Sequence, residues 1–357
     1  MKTSTSHKKF RLSIQLMVLL AMLLEAGCAG PRQPRRRLGA FFGAPGGMTF
    51  LEPDQLGRHH YQSSSGEKVG MVYTCRGGFI DIGHVREAAD RTAYLQQILY
   101  SALLEGKTQI SYHIIEPSHY TALITYPPGW HTFPEEKKKA LAFETSVRMA
   151  QTFTHWSLVW HEILTWFGFA SSGIFSEHIS AFSWEDTYSD LLGISLAGYV
   201  LRSEQPYNKG MTEALQRALA HLEVQPASVA KEAAHQIEGK WYSGGFYFFV
   251  EMKKRNFSTG LGFRPVVPLL VPGICPDAVP SPLPAPLLSS PTPEGFEADL
   301  LIYPVEAERW KIYRILNLEP EMPIRPVLHF PPLLEEIRSQ AQPQSRSGLS
   351  VRNSASG

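Results

Sequence analysis

The 357-residue sequence is poor in several features that would assign a protein to a class at once. Its 34 basic and 33 acidic residues leave a formal net charge of +1, which excludes a broadly basic nucleic-acid-binding protein and a strongly acidic tail protein. Only one stretch is apolar enough to consider for a membrane, and no internal repeat is evident. Because 43% of the residues are hydrophobic and only 19% are charged, most of the chain is expected to fold.

The single apolar stretch lies in an N-terminal pattern typical of export. Leu12 to Leu24 is a run of 13 residues, too short for a comfortable transmembrane helix, and it follows the basic residues Lys2, Lys8, Lys9 and Arg11. Small residues then precede Cys28, which indicates cleavage by lipoprotein signal peptidase and acylation of this cysteine. Glu25 stands where leucine is usual, so cleavage by signal peptidase I is the alternative.

This pattern predicts a location and one partner. The protein is expected in the bacterial cell envelope, bound to a membrane through its lipid anchor and without a nucleic-acid partner. No aspartate follows Cys28, which favours the outer membrane of a Gram-negative host, with the domain facing the periplasm. Substrate and protein partners stay unidentified.

The chain has three cysteines, so Cys75 and Cys275 are left once Cys28 is assigned to the anchor. An oxidising compartment favours a disulfide between these two. The alternative is a pair of free thiols, of which Cys75 could be reactive.

Composition divides the chain into four segments. We expect a signal peptide at 1–27, a lipid-anchored tether and Gly/Pro-rich lead-in at 28–60, a main globular domain at 61–338, and a disordered polar tail at 339–357. Ten of the thirty residues at 264–293 are proline, which predicts an extended loop wrapping the surface. The predicted fold class is α+β, a mostly helical single domain with a small β component.

Local patterns place the individual elements. Helices are predicted at 87–104, at 134–168 in two pieces, from a capping box at 183–186 to about 201, at 211–222 and at 226–238. Strands are predicted at 110–115, 121–126, 300–303 and 311–315.

Three clusters are dense in ionisable and aromatic residues. They are CRGGFIDIGHVR at 75–86, continuing to Asp90, WHEILTWFG at 160–168, and SAFSWEDTYSDLLG at 180–193. Together they resemble the bacterial envelope-protein family labelled domain of unknown function 4056, over roughly residues 40–320. The resemblance implies kinship of fold and location but no activity, since that family is uncharacterised.

The second cluster invites comparison with zinc metalloproteases. Their motif needs two histidines four residues apart on one helix face, but His161-Glu162 is followed by Thr165 at that position. A different divalent-metal site, for example for zinc, stays open, with His84 and His161 as ligands. Asp90, Glu162 or Glu185 would then serve as carboxylate ligand or general base. The alternative for each histidine is a hydrogen-bonded core residue.

Two further chemistries are open for the other clusters. Cys75 and His84 could form a thiol nucleophile and its base, with Asp90 or Glu162 as the orienting carboxylate. Glu185 lies at a predicted helix N-terminus, where an acidic side chain also has a purely structural role. The serines of the third cluster lack the Gly-x-Ser-x-Gly elbow of α/β hydrolases.

These patterns support two functions. One is an envelope hydrolase in which His84, His161 and Glu162 converge on one pocket, with Asp90 and Glu185 close by, because buried ionisable groups must be paired or used. The other is a non-enzymatic binding or structural lipoprotein, which the lack of a complete catalytic motif favours.

Overall fold

Helices dominate the part of the chain that the computed structural model describes, namely residues 31–37, 39–40, 48–114, 116–170, 178–244, 250–261 and 264–342. These residues contain seven α-helices and three small antiparallel sheets, joined by loops. In chain order they are β1 (Met71–Thr74), β2 (Gly78–Asp81), α1 (Ile82–Leu104), β3 (Gln109–Tyr112), β4 (His119–Thr125), a 3-10 turn (Trp130–Thr132), α2 (Glu135–Trp166), α3 (Asp186–Leu201), α4 (Tyr207–His221), α5 (Ala227–Ile237), β5 (Tyr242–Ser243), β6 (Glu251–Met252), β7 (Glu297–Tyr303), α6 (Arg309–Leu316) and α7 (Pro326–Ala341). The predicted mostly helical α+β single domain is confirmed.

Helices α1, α2 and α3 pack against one another and form the frame of the domain. The β1–β2 hairpin leads directly into α1, and α4 packs against the outer side of α3. The antiparallel sheet β3-β4-β7 and helix α7 complete the largest core on the side of α2. In that core the indole of Trp160 stacks on Phe330, with ring centroids 6.0 Å apart. No helix among the described residues is long and apolar enough to cross a membrane.

The Pro-rich segment lies across the β1–β2 hairpin and α3, as a wrapping loop would. The backbone N–H of Ser281 donates to the carbonyl oxygen of Arg76 at 2.8 Å, and the carbonyl of Ser281 accepts the hydroxyl of Tyr188 at 2.7 Å. Among its described residues the segment contains no helix, because proline removes backbone donors and blocks the helical turn.

Several predicted elements need correction. The two pieces expected at 134–168 are one helix of 32 residues, since no glycine or proline interrupts Glu135–Trp166. The strand predicted at 311–315 is part of helix α6, where Ile312 and Tyr313 are buried while Trp310 and Arg314 are exposed.

Element boundaries differ as well. The predicted strand at 110–115 corresponds to β3, which ends at Tyr112, and residue 115 lies outside the described residues. The capping box does not form, because α3 begins at Asp186 and the hydroxyl of Ser183 donates instead to Glu185 at 2.6 Å. The first residues of the expected tail continue α7 as far as Ala341. The predicted signal peptide, Cys28 and residues 343–357 lie outside the described residues.

Candidate functional site

His84 lies in the first turn of α1, held there by the strand–helix junction before it. Asp81 ends β2 and caps α1, and its carboxylate accepts the backbone N–H of Gly83 at 2.7 Å. The other carboxylate oxygen accepts the N–H of Ala40 at 2.5 Å and lies 3.9 Å from Nε2 of His84. Asp81 is fully buried, so its position, and with it one side of the imidazole, is fixed.

Helix α3 supplies carboxylates to the other side of the imidazole. Nδ1 of His84 lies 3.4 Å from Asp186 and 3.7 Å from Asp190, which are four residues apart and therefore share one face of α3. Gly193 permits this close approach of the helices, because a Cβ added there would lie 2.1 Å from the carbonyl oxygen of Val85. The His84 side chain is 29% exposed, whereas both aspartates are 9% exposed. The imidazole is thus the solvent-facing member of a buried acidic group.

Acidic side chains outnumber basic ones in this group. Burial opposes protonation of His84, but Asp186, Asp81 and Asp190 outweigh it and raise the pKa of the imidazole well above its usual value. Burial raises the pKa of Asp190 to about 7, against the opposing effect of His84. Burial likewise raises the pKa of Asp81, Glu185 and Asp186. One imidazolium therefore faces several carboxyl groups that ionise unusually late.

His161 belongs to a second group of charges, built on α2 and the turn between β3 and β4. Its Nδ1 lies 3.1 Å from Oε1 of Glu116, and Nη2 of Arg91 lies 3.6 Å from the same oxygen. Burial would raise the pKa of Glu116, but Arg91 and His161 lower it to about 2. Burial in turn lowers the pKa of His161, and the Glu116 carboxylate more than compensates, so the net shift is upward. The His161 side chain is 26% exposed, so this imidazole is also half-open to solvent.

One face of α1 connects the two groups. His84, Glu87 and Arg91 are spaced by three and four residues and line up along the helix over about 10 Å. Arg91 donates to Glu87 at 2.6 Å, and its charge acts on Asp190 as well as on Glu116. No ion pair or hydrogen bond joins the two histidines directly within the described part of the chain. His84 begins this row of charges, and His161 meets its other end, where Arg91 and His161 share Glu116.

Glu162 lies beside this row. Its carboxylate accepts the backbone N–H of Phe182. Burial is the main cause of the raised pKa of Asp190, and His84 opposes it. The negative charge of Glu162 adds to the increase. Glu185 is the residue before α3. Burial raises the pKa of its carboxyl group, the charge of Asp81 adds to this increase and that of His84 opposes it. The carboxylate accepts a hydrogen bond from the hydroxyl of Ser183. Both residues are therefore close to the His84 group.

Asp90, by contrast, does not face His84. It lies on another side of α1, where Oδ1 is 2.8 Å from Nε2 of His59 and Oδ2 is 2.8 Å from Nη1 of Arg37. The proximity expected from sequence was wrong for this residue, because the six residues of α1 between them turn Asp90 by about one third of a revolution away from His84.

Cys75 and Cys275 are joined by a disulfide with a Cα–Cα distance of 5.5 Å. Cys75 therefore carries no free thiol in this structure, and the arrangement of Cys75 as nucleophile beside His84 is not formed. No group of three or more His, Cys, Asp or Glu residues could hold a metal ion within the described ranges. His84 and His161 thus do not combine into the ligand set that a zinc site needs.

Sequence reasoning missed several members of the site. Asp186 and Asp190 could have been found from their spacing of four on one helix face, and Asp81 from its place three residues before His84. Glu116 and Arg91 carried no such signal, because their meeting with His161 depends on how the β3–β4 turn packs against α1 and α2.

The arrangement suits proton transfer. Glu116 holds one nitrogen of His161, which fixes the ring and leaves the other nitrogen for a reacting group. His84 and Asp190 offer an imidazolium and a carboxyl group whose pKa lies near neutrality. Perturbed groups of this kind cluster at functional sites.

Comparison with known proteins places the chain in a family without assigning an activity. The family model described as "Protein of unknown function (DUF4056)" matches residues 48–246, more than half of the 357 residues. This is shorter than the span of 40–320 expected from the motifs, but it contains all three motif clusters. No curated protein and no solved structure matches the chain. The chain therefore belongs to DUF4056, a family of proteins of unknown function.

Proposed function

We propose that this protein is an exported, lipid-anchored hydrolase of the bacterial envelope, with His84 and His161 as its acid–base groups. The observation that carries the proposal is the pair of half-exposed histidines along one row of charges. Each has Nδ1 within 3.1–3.7 Å of a buried carboxylate. His59 also meets a buried carboxylate, with Nε2 2.8 Å from Asp90, but its side chain is only 1% exposed. Partial exposure to solvent therefore distinguishes His84 and His161 from this core histidine.

The two histidines take complementary roles. His161, oriented by Glu116, accepts a proton from water as the water attacks the substrate. His84 is held as an imidazolium by Asp186 and Asp190, and it donates a proton to the leaving group. Asp190 lies beside His84 and reprotonates it for the next cycle, since its pKa of about 7 allows both states near neutral pH. His161 releases to solvent the proton that it took from water, and Asp190 takes up one proton from solvent, so the cycle closes without net loss of protons.

Export and lipidation rest on separate support. The basic N-terminus, the apolar run of 13 residues and Cys28 are the pattern of a lipoprotein signal. The Cys75–Cys275 disulfide is consistent with an oxidising compartment outside the cytoplasm. The proposed location is the periplasmic face of the outer membrane.

The proposal is tested by hydrolysis in ¹⁸O-labelled water. Purified protein is incubated with phospholipid vesicles, peptidoglycan fragments or envelope peptides, and ¹⁸O in the products is measured by mass spectrometry. We expect incorporation with the wild-type protein and a loss of about 10²-fold or more in His84→Gln and His161→Gln.

His235→Gln is the matched control, because His235 lies on α5 with its side chain 81% exposed and should have no effect. If no substrate class acquires ¹⁸O, or if the two site variants retain wild-type rates, the hydrolase proposal is wrong.

A further inference from the structure

Within the segment expected to be the tether and lead-in, Arg32 and Gln33 hydrogen-bond to the domain. The hydroxyl of Tyr61 donates to the carbonyl oxygen of Arg32 at 2.8 Å. The side-chain amide of Gln62 donates to the carbonyl oxygen of Gln33 at 3.1 Å. Contact with the domain is therefore already present at Arg32, four residues after the predicted anchor.

Arg37 secures this contact in the interior of the domain. Its side chain is 1% exposed and forms ion pairs with Glu67 at 3.0 Å and with Asp90 at 2.8 Å. Its backbone N–H donates to Glu87 at 2.7 Å, and Glu87 also holds Arg91 of the candidate site. A buried, charge-paired arginine is costly to withdraw, so this attachment is stable.

Gly39 and Ala40 then contact the candidate site itself. A Cβ added to Gly39 would lie 2.4 Å from Nε2 of His84 and 3.1 Å from the carboxylate of Asp81. The N–H of Ala40 donates to that same carboxylate. Gly39 and Ala40 therefore form one wall of the site around His84.

The length of chain limits how far this wall can be from the anchor. Four peptide units separate Cys28 from Arg32, and a fully extended chain spans at most about 3.6 Å per residue, so Arg32 is within roughly 14 Å of Cys28. Gly39 is eleven units from Cys28 and hence within about 40 Å, a distance comparable to the thickness of one bilayer.

We propose that Arg37, Gly39 and Ala40 fix the His84 site at the surface of the membrane that holds Cys28, and that the substrate of this site is a lipid of that membrane. This inference rests on the lipidation and the hydrolase activity proposed above. A short, docked connection gives the site a high effective concentration of membrane lipid. A wall polymer, in contrast, would have to approach the membrane to be reached.

Attachment of the N-terminal residues is tested without any activity. Hydrogen exchange is measured on the full lipidated chain in vesicles of phosphatidylethanolamine and phosphatidylglycerol, after incorporation of labelled palmitate at Cys28 has been verified. We expect slow exchange at the amides of Arg37 and Ala40, and at least tenfold faster exchange at Ala40 in Arg37→Ala. Arg35→Ala is the control, because Arg35 is exposed.

Gly39→Ala is the second variant, in case Arg37→Ala does not fold. The added methyl group displaces the backbone from His84, so exchange at Ala40 should again accelerate. Fast exchange at both amides in the wild-type protein would refute the attachment.

The substrate class is tested with a spacer of 30 Gly and Ser residues inserted between Gly30 and Pro31. Incorporation of ¹⁸O into vesicle lipid should fall at least tenfold in the spacer variant, because effective concentration decreases roughly as the −3/2 power of tether length. Hydrolysis of the same lipids in detergent micelles should be unchanged.

The outcomes separate the two proposals. Hydrolysis of soluble peptidoglycan fragments but not of lipid would overturn the inference and leave the proposed function standing. Hydrolysis of neither would refute the proposed function, and with it the lipid substrate. Absence of palmitate at Cys28 would remove the anchor on which the inference depends.

Discussion

Helix α1 carries two buried charge clusters that differ in balance and in exposure. On one face, Arg86 and Asp90 join Arg37 and Glu67 in a closed network with side chains 0–2% exposed. Two arginines face two carboxylates there, and each has an ion-pair partner at 2.8–3.0 Å. The charges cancel within the protein, so the network ties the N-terminal residues to the domain.

On the neighbouring face, His84 meets Asp81, Asp186 and Asp190 in an open cluster. One imidazolium is outnumbered by carboxyl groups, and the imidazole is 29% exposed. Removing one member of a balanced buried network leaves an uncompensated charge and is costly, whereas an unbalanced cluster carries such a cost from the start and is typical of functional sites. The two clusters lie about one helical turn apart on the same helix. Their difference in charge balance and exposure therefore comes from the segments that pack against each face of α1.

The largest effect should come from breaking the closed network. Asp90→Asn removes the charge that faces Arg37 and leaves an arginine buried with incomplete compensation. We expect the free energy of unfolding to fall by about 3–5 kcal/mol, measured by urea denaturation at pH 7. Asp54→Asn, at an exposed position, should change it by less than about 0.5 kcal/mol. A loss below about 1 kcal/mol for Asp90→Asn would show that the network does not stabilise the domain.

The sequence alone predicted much of the framework that places these clusters. Proline before Glu135 and acids in the first turn indicated the start of α2, and so put His161 and Glu162 on a helix. The apolar pattern of residues 87–104 indicated α1, although the helix begins five residues earlier, at Ile82. Periodicity fixes such elements because it depends on neighbours along the chain.

Which acidic side chain pairs with which basic side chain could not be predicted from periodicity. Glu87 and Asp90 both follow His84 within two turns, yet only Glu87 shares its row, because Arg37 and His59 arrive from distant parts of the chain to meet Asp90. Glu116 illustrates the same limit: it reaches His161 through a turn between two strands. Pairings of this kind are decided by tertiary packing.

The second prediction concerns how much the ionisation of the open cluster reduces the stability of the fold. Burial raises the pKa of Asp190 from an ordinary value near 3.8 to about 7, so the folded protein binds a proton between these values that the unfolded chain has released. The stability contributed by this group is therefore present at low pH and is lost as the pH rises through about 4 to 7. Asp190→Asn removes this pH-dependent loss of stability, because asparagine does not ionise.

Relative to wild type, the stability of Asp190→Asn should accordingly increase between pH 4 and pH 8. Three pKa units correspond to about 4 kcal/mol, which is an upper limit because the variant also removes a partner of His84. Urea denaturation across this pH range measures the difference. Asp277→Asn, at an exposed position, should show a difference from wild type that is independent of pH. A pH-independent difference for Asp190→Asn would mean that Asp190 ionises normally.

The smallest effect concerns the charge state of His84. Burial lowers the pKa of this imidazole, but Asp186 is the strongest of the carboxylates that raise it, and the result lies well above the usual value of 6.5. The imidazolium therefore stabilises the fold below about pH 6.5, and this contribution is lost as the pH rises through the folded-state pKa. Asp186→Asn should lower the pKa of His84 by about one unit.

The titration is followed by NMR of histidine-labelled protein, with His84 assigned from the His84→Gln spectrum. Asp54→Asn is again the matched control and should leave the midpoint unchanged. If the midpoint of His84 in the wild-type protein lies below 6.5, the carboxylates do not outweigh burial. His84 would then be neutral at pH 7 and unable to donate the proton assigned to it, and the contrast between the two faces of α1 would be one of exposure alone.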